Sequence, residues 1–299
     1  RNPMTGPLIA EKLGQGDYAL ALRILSSISF VNLLNDYGSA LQRSAFLPLF
    51  TGDKYMQASL AIMEPQLRFD IHKLKTTAER SHSGYWLNGE KTMVVAAKDA
   101  DVFLIFADLT GVGIHPFIVE KNTEGVIIEE ERHMGLLAAS MAKVKLQNVH
   151  VPKEALLGES ESSFDLEKFI DASRIALGAL TVGTMKSAID YAITYCNQRV
   201  AFGEPITNRQ AVAFMLADMA TEYEALRLMV YRAAALFEQG KDCRRAAYLA
   251  DVFSAQYSMR IATDAVQLLG GHGYTREHPV EMWYRHLRAS AILRGTISL

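Results

Sequence analysis

SGYWLNGEKTMVVAA, residues 83–97, packs aromatic and β-branched residues around an Asn-Gly pair at 88–89. Runs of this composition read as strand, and Asn-Gly predicts a tight hairpin turn. Four similar runs follow: DVFLIFADL (101–109), GIHPFIVEK (113–121), GVIIEEE (125–131) and AKVKLQNVHVP (142–152). They are short and separated by turn residues. A compact antiparallel β domain, a small barrel or sandwich, is expected over 59–158.

On either side the apolar period changes from two to about 3.6. Residues 1–58 predict an incomplete helical domain. Gly14, Gly16 and Asp17 break its first stretch into two helices, and a short helix ends near Pro48 and Gly52. Residues 159–299 predict a four-helix bundle. Its long helices lie over 165–199, 206–240 and 243–271, with a last one after Pro279. Gly178 and Gly183 are expected on one face, where a neighbouring helix packs closely, and Gly240 closes the second helix. The fold class is therefore α+β and multi-domain.

Composition excludes several functions. A formal net charge of −2 over 299 residues gives no basic footprint for nucleic acid. Cys196 and Cys243 offer neither a disulfide framework nor metal-ligand spacing, and both read as buried thiols. No unbroken apolar run reaches membrane-spanning length. The first residues lack the order of a signal peptide, and the chain opens abruptly into a helix. The expected compartment is a reducing cytoplasm, or a mitochondrial matrix in a eukaryote. No Ser-His-Asp or metal-binding constellation is present. His72, His82, His115, His133, His150, His272, His278 and His286 are scattered, and surface or loop positions are expected for them.

Seven segments then occur in a telling order: MEPQLRFDIHKLKTTAER (63–80), GYWLNGEK (84–91), GIHPFIVEKNTEGV (113–126), MGLLAASMAKVKLQNVHVPKEALLGE (134–159), QRVAFGEPITNRQAVAFMLADM (198–219), AVQLLGGHGYTREHPVEMWYRHLR (265–288) and AILRGTISL (291–299). Together with the helix–β–helix order, they resemble the acyl-CoA dehydrogenase family of flavoproteins. By that resemblance the first helices of the family's N-terminal domain are absent. It implies FAD as cofactor, an acyl-CoA thioester as substrate, an electron-transfer acceptor, and a homo-oligomer, a dimer of dimers. It also implies a place in fatty acid oxidation.

Several residues suit a dinucleotide. Arg199 offers a planar fork for a pyrophosphate, and Phe202 can cover an adenine or ribose. Gln210 and Gln267 both donate and accept. Gly270, Gly271 and Gly273 let a backbone approach a phosphate. The residues alone fit a surface Arg, a core Phe, a helix C-cap and solvated glutamines better than a cofactor grip. The resemblance implies that Arg199, Phe202 and Gln210 serve the adenosine-diphosphate half of FAD from one subunit, and Gln267, Gly270 and Gly271 from its partner.

The pattern departs on the flavin-ring side. The family's Thr before Glu-Pro is Met63 here, and its Gly-Ser-Asp is Arg68-Phe69-Asp70. Its Trp-Ile-Thr is Met93-Val94-Val95. Met93 and Val95 are thus the ring-side residues, and Phe69 falls at a substrate-side position. A lost Thr hydroxyl near the flavin N5 removes a hydrogen bond of about 1 kcal/mol. The base is lost too. Arg294 stands where the family carries a proton-abstracting glutamate, and arginine accepts no proton. Some relatives place the base just before an Arg on the first bundle helix. Here that pair is Ser173-Arg174, with Arg174 a substrate-side residue. Asp171 and Glu167 lie off that position, and Glu277 and Glu281 read as ion-pair partners of Arg285 or Arg288.

Three functions stay open on this reading: dehydrogenation with an unusual base, altered chemistry in which Arg294 binds an anionic group of the substrate, and a base-less subunit paired with a related catalytic one.

Overall fold

The computed structural model describes residues 4–52, 55–158, 160–161 and 164–298. The expected start of the helical region at 159 and the two chain ends fall outside the described residues. The chain divides into two compact units. A helix unit comprises 1–21, 134–136 and 174–292, and a sheet unit comprises 22–133, 137–173 and 293–299.

The sheet unit is built on β1 (Ala58–Ala61), β2 (Thr77–Arg80), β3 (Gly84–Val94), β4 (Val102–Leu109), β5 (Gly113–Glu120), β6 (Val126–Glu130) and β7 (Ala142–Pro152). Their order in the sheet is β1-β4-β2-β3-β7-β6, with β5 on β4. Pairing is antiparallel except at β4, which runs parallel to both β1 and β2. Inward residues of neighbouring strands, Leu87, Phe103, Ile105, Phe117, Val144 and Val149, form its core. Burying side chains of this size contributes roughly 1.5–3 kcal/mol each.

The Asn88-Gly89 pair is not a turn. The chain runs straight through it inside β3, and the β2–β3 connection closes earlier, where Ser81 N–H donates to Gly84 O at 2.8 Å. At 88–89 the β3–β7 register slips instead. Gly89 has φ +150°, and a Cβ there would lie 2.5 Å from Thr76 Oγ1. Glycine is needed for a bulge and a close approach, two roles that a hairpin reading overlooks.

Two further helices precede the sheet. In α2 (Tyr18–Tyr37) the residues Leu22, Leu25, Phe30, Leu33 and Leu34 are buried. By length and composition α2 is the one helix among the described residues able to cross a membrane, and 61% of its apolar window is buried in the protein. A capping box starts α3 (Ala40–Phe46): Gln42 N–H donates to Ser39 Oγ, and Ser39 N–H to Gln42 Oε1. The Gln42 amide then donates to Glu154 O and Leu156 O, which fixes the helix on the chain beyond β7.

The helix unit contains α1 (Thr5–Gly16), the part of α4 (Leu166–Gln198) from Arg174 on, α5 (Gln210–Glu238), α6 (Arg244–Leu269) and α7 (Val280–Ser290). Asp17 separates α1 from α2, as its break signal predicts. Gly178 and Gly183 do not share a neighbour. A Cβ on Gly183 would lie 2.0 Å from Glu11 O of α1, whereas one on Gly178 would lie 2.9 Å from Val230 Cγ2 of α5. Five residues along a helix turn the side chain well past one face. Gly14 completes the α1–α4 contact: its Cβ position lies 2.3 Å from Leu180 O, and Thr184 Oγ1 donates to Gly14 O at 2.7 Å. Gly240 and Gly270 end α5 and α6 at φ +65° and +57°.

Two histidines contradict the surface expectation. His286, on α7, and His115, in β5, are both buried. His115 Nδ1 is 3.1 Å from Gly113 O, and its Nε2 reaches Glu161 O. Cys196 and Cys243 are buried free thiols, as their apolar setting implies. Glu281 pairs with Arg285 at 2.8 Å.

Candidate functional site

In the helix unit, a short hairpin of β8 (Val200–Ala201) and β9 (Glu204–Pro205) follows α4. Ile206 N–H closes it on Arg199 O at 2.9 Å. Its tip is Phe202-Gly203, at φ +56° and +87°. Left-handed backbone is strained in a bulky residue, at about 1–3 kcal/mol. Phe202 is also 93% exposed, and the Arg209 guanidinium lies 5.7 Å from its ring centroid. A strained aromatic in water contributes nothing to the core. Arg199 and Gln210 flank the tip and are exposed.

The second glycine-rich segment lies at the same end of α4. Tyr195 O–H is 2.8 Å from His272 Nδ1, and Tyr191 O–H is 2.7 Å from His278 Nδ1. The two tyrosines thus tie the 270–278 chain to the helix turn that carries Arg199. Gln267, Gly270 and Gly271 are exposed, and a Cβ at either glycine would meet nothing within 4 Å. Gly273 differs: its Cβ position lies 2.3 Å from Val266 O, so it is a packing glycine. Arg174 belongs to this unit as well, with its guanidinium 5.4 Å from the Tyr248 ring centroid.

In the sheet unit, Met93, Val95, Phe69 and Arg294 occupy the remaining predicted positions. Met93 has φ +52°, and its N–H donates to Glu131 Oε2 at 2.8 Å; Thr92 Oγ1 donates to the same carboxylate. Val95 is fully buried, so its side chain presents no surface to a ligand. Phe69 is half-buried on the loop between β1 and β2. That loop is closed by one carboxylate. Glu64 Oε2 accepts Lys75 N–H at 2.7 Å, and Oε1 accepts Thr76 N–H at 2.9 Å and Lys91 Nζ at 2.8 Å. Burial raises the Glu64 carboxyl, but the Lys91 ammonium and these N–H donors outweigh it and hold it below its ordinary value. Burial also pushes Lys91 down to about 8, against the pull of Glu64. Among the described residues Lys91 Nζ donates to Glu64 Oε1 and Ile62 O, whereas Glu64 gathers several donors.

The segment bearing Arg294 is tightly held. Arg294 N–H donates to Met63 Sδ at 3.4 Å, and Arg294 Nη1 donates to Leu293 O at 2.6 Å. Gly295 has φ +64°, and its Cβ position lies 2.7 Å from Ile62 Cγ2. Ser298 N–H donates to Ser29 Oγ at 2.8 Å. Residue 294 is therefore set beside Met63 by backbone on both sides, with a half-buried side chain. Ser173 is buried, and its hydroxyl has no hydrogen-bond partner among the described residues.

Glu131, Lys91 and Tyr195, which hold the Met93 backbone, the Glu64 loop and the 270–278 chain, were not singled out by the sequence. Tyr195 stands one helical turn before Arg199, which is a usable signal. Glu131 is found only through the backbone of Met93.

For an FAD, the diphosphate side fits on chemistry: an exposed guanidinium, an exposed aromatic ring, and glycines with open space above the backbone. On the ring side Met93 is half-buried, whereas Met63 and Val95 are buried.

Residues 59–149 match the acyl-CoA dehydrogenase middle domain, and residues 165–298 match the acyl-CoA dehydrogenase C-terminal domain. An acyl-CoA dehydrogenase of Bacillus subtilis is 35% identical over 266 residues, covering 87% of this chain and 70% of that protein. The structure of butyryl-CoA dehydrogenase from Megasphaera elsdenii is similar at a TM-score of 0.87 and 33% identity, over 97% of this chain and 78% of that one. The FAD complex of PigA is similar at a TM-score of 0.90 and 26% identity, over 99% and 79%. Two matched domains in sequence order and relatives above 30% identity over most of both chains leave one assignment: the chain belongs to the acyl-CoA dehydrogenase family.

Proposed function

We propose that the protein is an FAD-dependent oxidoreductase acting on the CH–CH group of acyl-CoA thioesters, in which residue 294 is not the proton acceptor. The observation that carries the cofactor is the strained, exposed Phe202 beside Arg199. Arg199 would donate to the pyrophosphate, Phe202 would cover the adenosine, and Gln210 would complete that half. Gln267, Gly270 and Gly271 would serve the cofactor of a second copy, which makes the assembly a homo-oligomer. Met93 would give the flavin ring an apolar surface. When bound, FAD supplies a hydride acceptor. The domain division that accompanies this reading is 1–58, 59–158 and 159–299.

The chain's own groups define what it does not do. Arg294 carries no acceptor for a proton, and among the described residues the Ser173 hydroxyl has no hydrogen-bond partner to make it basic. These two residues favour a second reading, a base-less subunit assembled with a related chain that holds the carboxylate. One experiment separates the two: load the purified protein with FAD and add a panel of acyl-CoA thioesters anaerobically. Bleaching of the flavin band by one member is expected. A panel that leaves the spectrum untouched would contradict the oxidoreductase reading, and bleaching only after a related subunit is added would favour the second.

A further inference from the structure

We infer that the 270–278 segment is held to α4 by an acid-releasable latch, made of the stacked imidazoles of His272 and His278 with Tyr195 and Tyr191. All four side chains belong to the helix unit, and the latch needs no cofactor to form. The two imidazoles stack with ring centroids 5.3 Å apart and planes 28° from parallel. Each is engaged by a tyrosine of α4: Tyr195 O–H lies 2.8 Å from His272 Nδ1, and Tyr191 O–H lies 2.7 Å from His278 Nδ1. The tyrosine rings also meet the pair edge-on. Tyr195 stands 6.0 Å from His272 and 5.8 Å from His278, and Tyr191 stands 5.9 Å from His278. Tyr191 in turn meets the buried Trp283 of α7 at 5.8 Å. Both tyrosines and His278 are half-buried, and His272 is exposed.

With both rings neutral the arrangement is satisfied, since each tyrosine hydroxyl bonds one Nδ1. One added proton is also accommodated. A protonated His272 donates from Nδ1 to the Tyr195 oxygen, and the tyrosine O–H turns to Leu269 O, 3.5 Å away. A second proton is opposed. Two imidazolium rings 5.3 Å apart lie inside the screening length of physiological salt, about 8 Å, and repel. The carboxylates on the packed elements are engaged elsewhere: Asp190 of α4 with Lys186, Asp264 of α6 with Arg260, and Glu281 of α7 with Arg285. The segment's own charges, Arg276 and Glu277, are exposed, adjacent and opposite in sign, and Arg199 just beyond α4 adds a positive one.

The released segment has no such limit. Once 270–278 leaves α4 the two imidazoles separate, and both take protons. The open form therefore binds one proton more than the latched form, and acid shifts the balance toward it by up to about tenfold per pH unit. What moves with the segment is the backbone at Gly270 and Gly271, where a Cβ would meet nothing within 4 Å. Presentation of that open backbone is thereby tied to pH.

Amide hydrogen exchange of the purified protein tests the latch, read on peptides covering 270–278 and corrected for the intrinsic pH dependence of exchange. From pH 7.5 to pH 5.5 wild-type protection of these peptides is expected to fall by roughly 10- to 100-fold, the range of one extra proton over that interval, while peptides of α4 keep theirs. His272→Gln and His278→Gln each leave a single ring to titrate, and are expected to bring the ratio between the two pH values close to one. Tyr195→Phe keeps both rings and loses one hydrogen bond, so its protection should be lower at both pH values with the ratio retained. Wild-type protection that does not change between the two pH values overturns the proposal. A ratio that survives in both glutamine variants also overturns it, as does a loss shared equally by α4, which is general acid unfolding and not release of the segment. Circular dichroism confirms folding; if the glutamine variants do not fold, the wild-type profile and Tyr195→Phe still decide.

Discussion

Lys91 Nζ lies 2.8 Å from Glu64 Oε1, with both side chains withdrawn from solvent. The pair closes the loop that carries Phe69. Breaking a buried pair strands the remaining charge, at about 3–5 kcal/mol. Glu64→Gln is therefore expected to lose stability of that order in urea unfolding at pH 7. The pH dependence follows from the direction of the shift. Glu64 is held below its ordinary 4.5, so its contribution is complete above about that pH and is lost as pH falls through the folded value. Wild-type stability should drop below pH 4.5, and Glu64→Gln should lack that part of the drop.

His286 gives a second handle of the same sign, nearer neutrality. Burial lowers its pKa from 6.5; Asp17 opposes the fall and Arg285 adds to it. The folded protein binds that proton more weakly than the unfolded chain, so stability is lost as pH falls below about 6.5. Thermal melts at pH 7.5 and 5.5 should show a smaller acid loss in His286→Gln than in the wild type. An equal loss in both would mean that another group carries the acid sensitivity.

Gly183 is expected to be the least replaceable glycine of the helix unit. A Cβ 2.0 Å from Glu11 O forces α1 off α4. Gly183→Ala should cost about 1–3 kcal/mol or more, as overpacking does. Gly16→Ala is the control, since its Cβ would meet nothing within 4 Å, and it should leave the denaturant midpoint within about 1 kcal/mol of wild type.

Phe202 should trade stability against ligand. Phe202→Gly relieves the left-handed strain and removes a ring that is 93% exposed. The flavin-free protein should gain up to about 1 kcal/mol, while FAD affinity, followed by flavin fluorescence, should fall. A variant that binds FAD unchanged would remove Phe202 from the site.

Periodicity made the helices and strands legible, including the break at Asp17 and the glycine closures of α5 and α6. What periodicity cannot carry is pairing in space. Asn88-Gly89 has the composition of a turn, but Gly89 is there because Thr76 crosses it. The parallel pairings of β4 with β1 and β2 are made between strands distant in sequence. His115 and His286 are buried by neighbours that their own local sequence does not name. In the proposed site, Arg199, Phe202 and the Gly270 segment stand in a motif of fixed spacing, which is what singled them out in the sequence. The role of Glu131 was not, because it depends on the left-handed backbone of Met93. Gly178 and Gly183 were recognised as packing residues, but which helix each one meets is set by the angle between them.

The most direct measurement is the flavin content of the purified protein, read from its visible absorption after incubation with FAD and removal of the unbound cofactor. Near one FAD per chain in the wild type, with a marked loss in Arg199→Gln, is the expected result. A wild-type protein that retains no flavin would contradict the assignment of these residues to a cofactor.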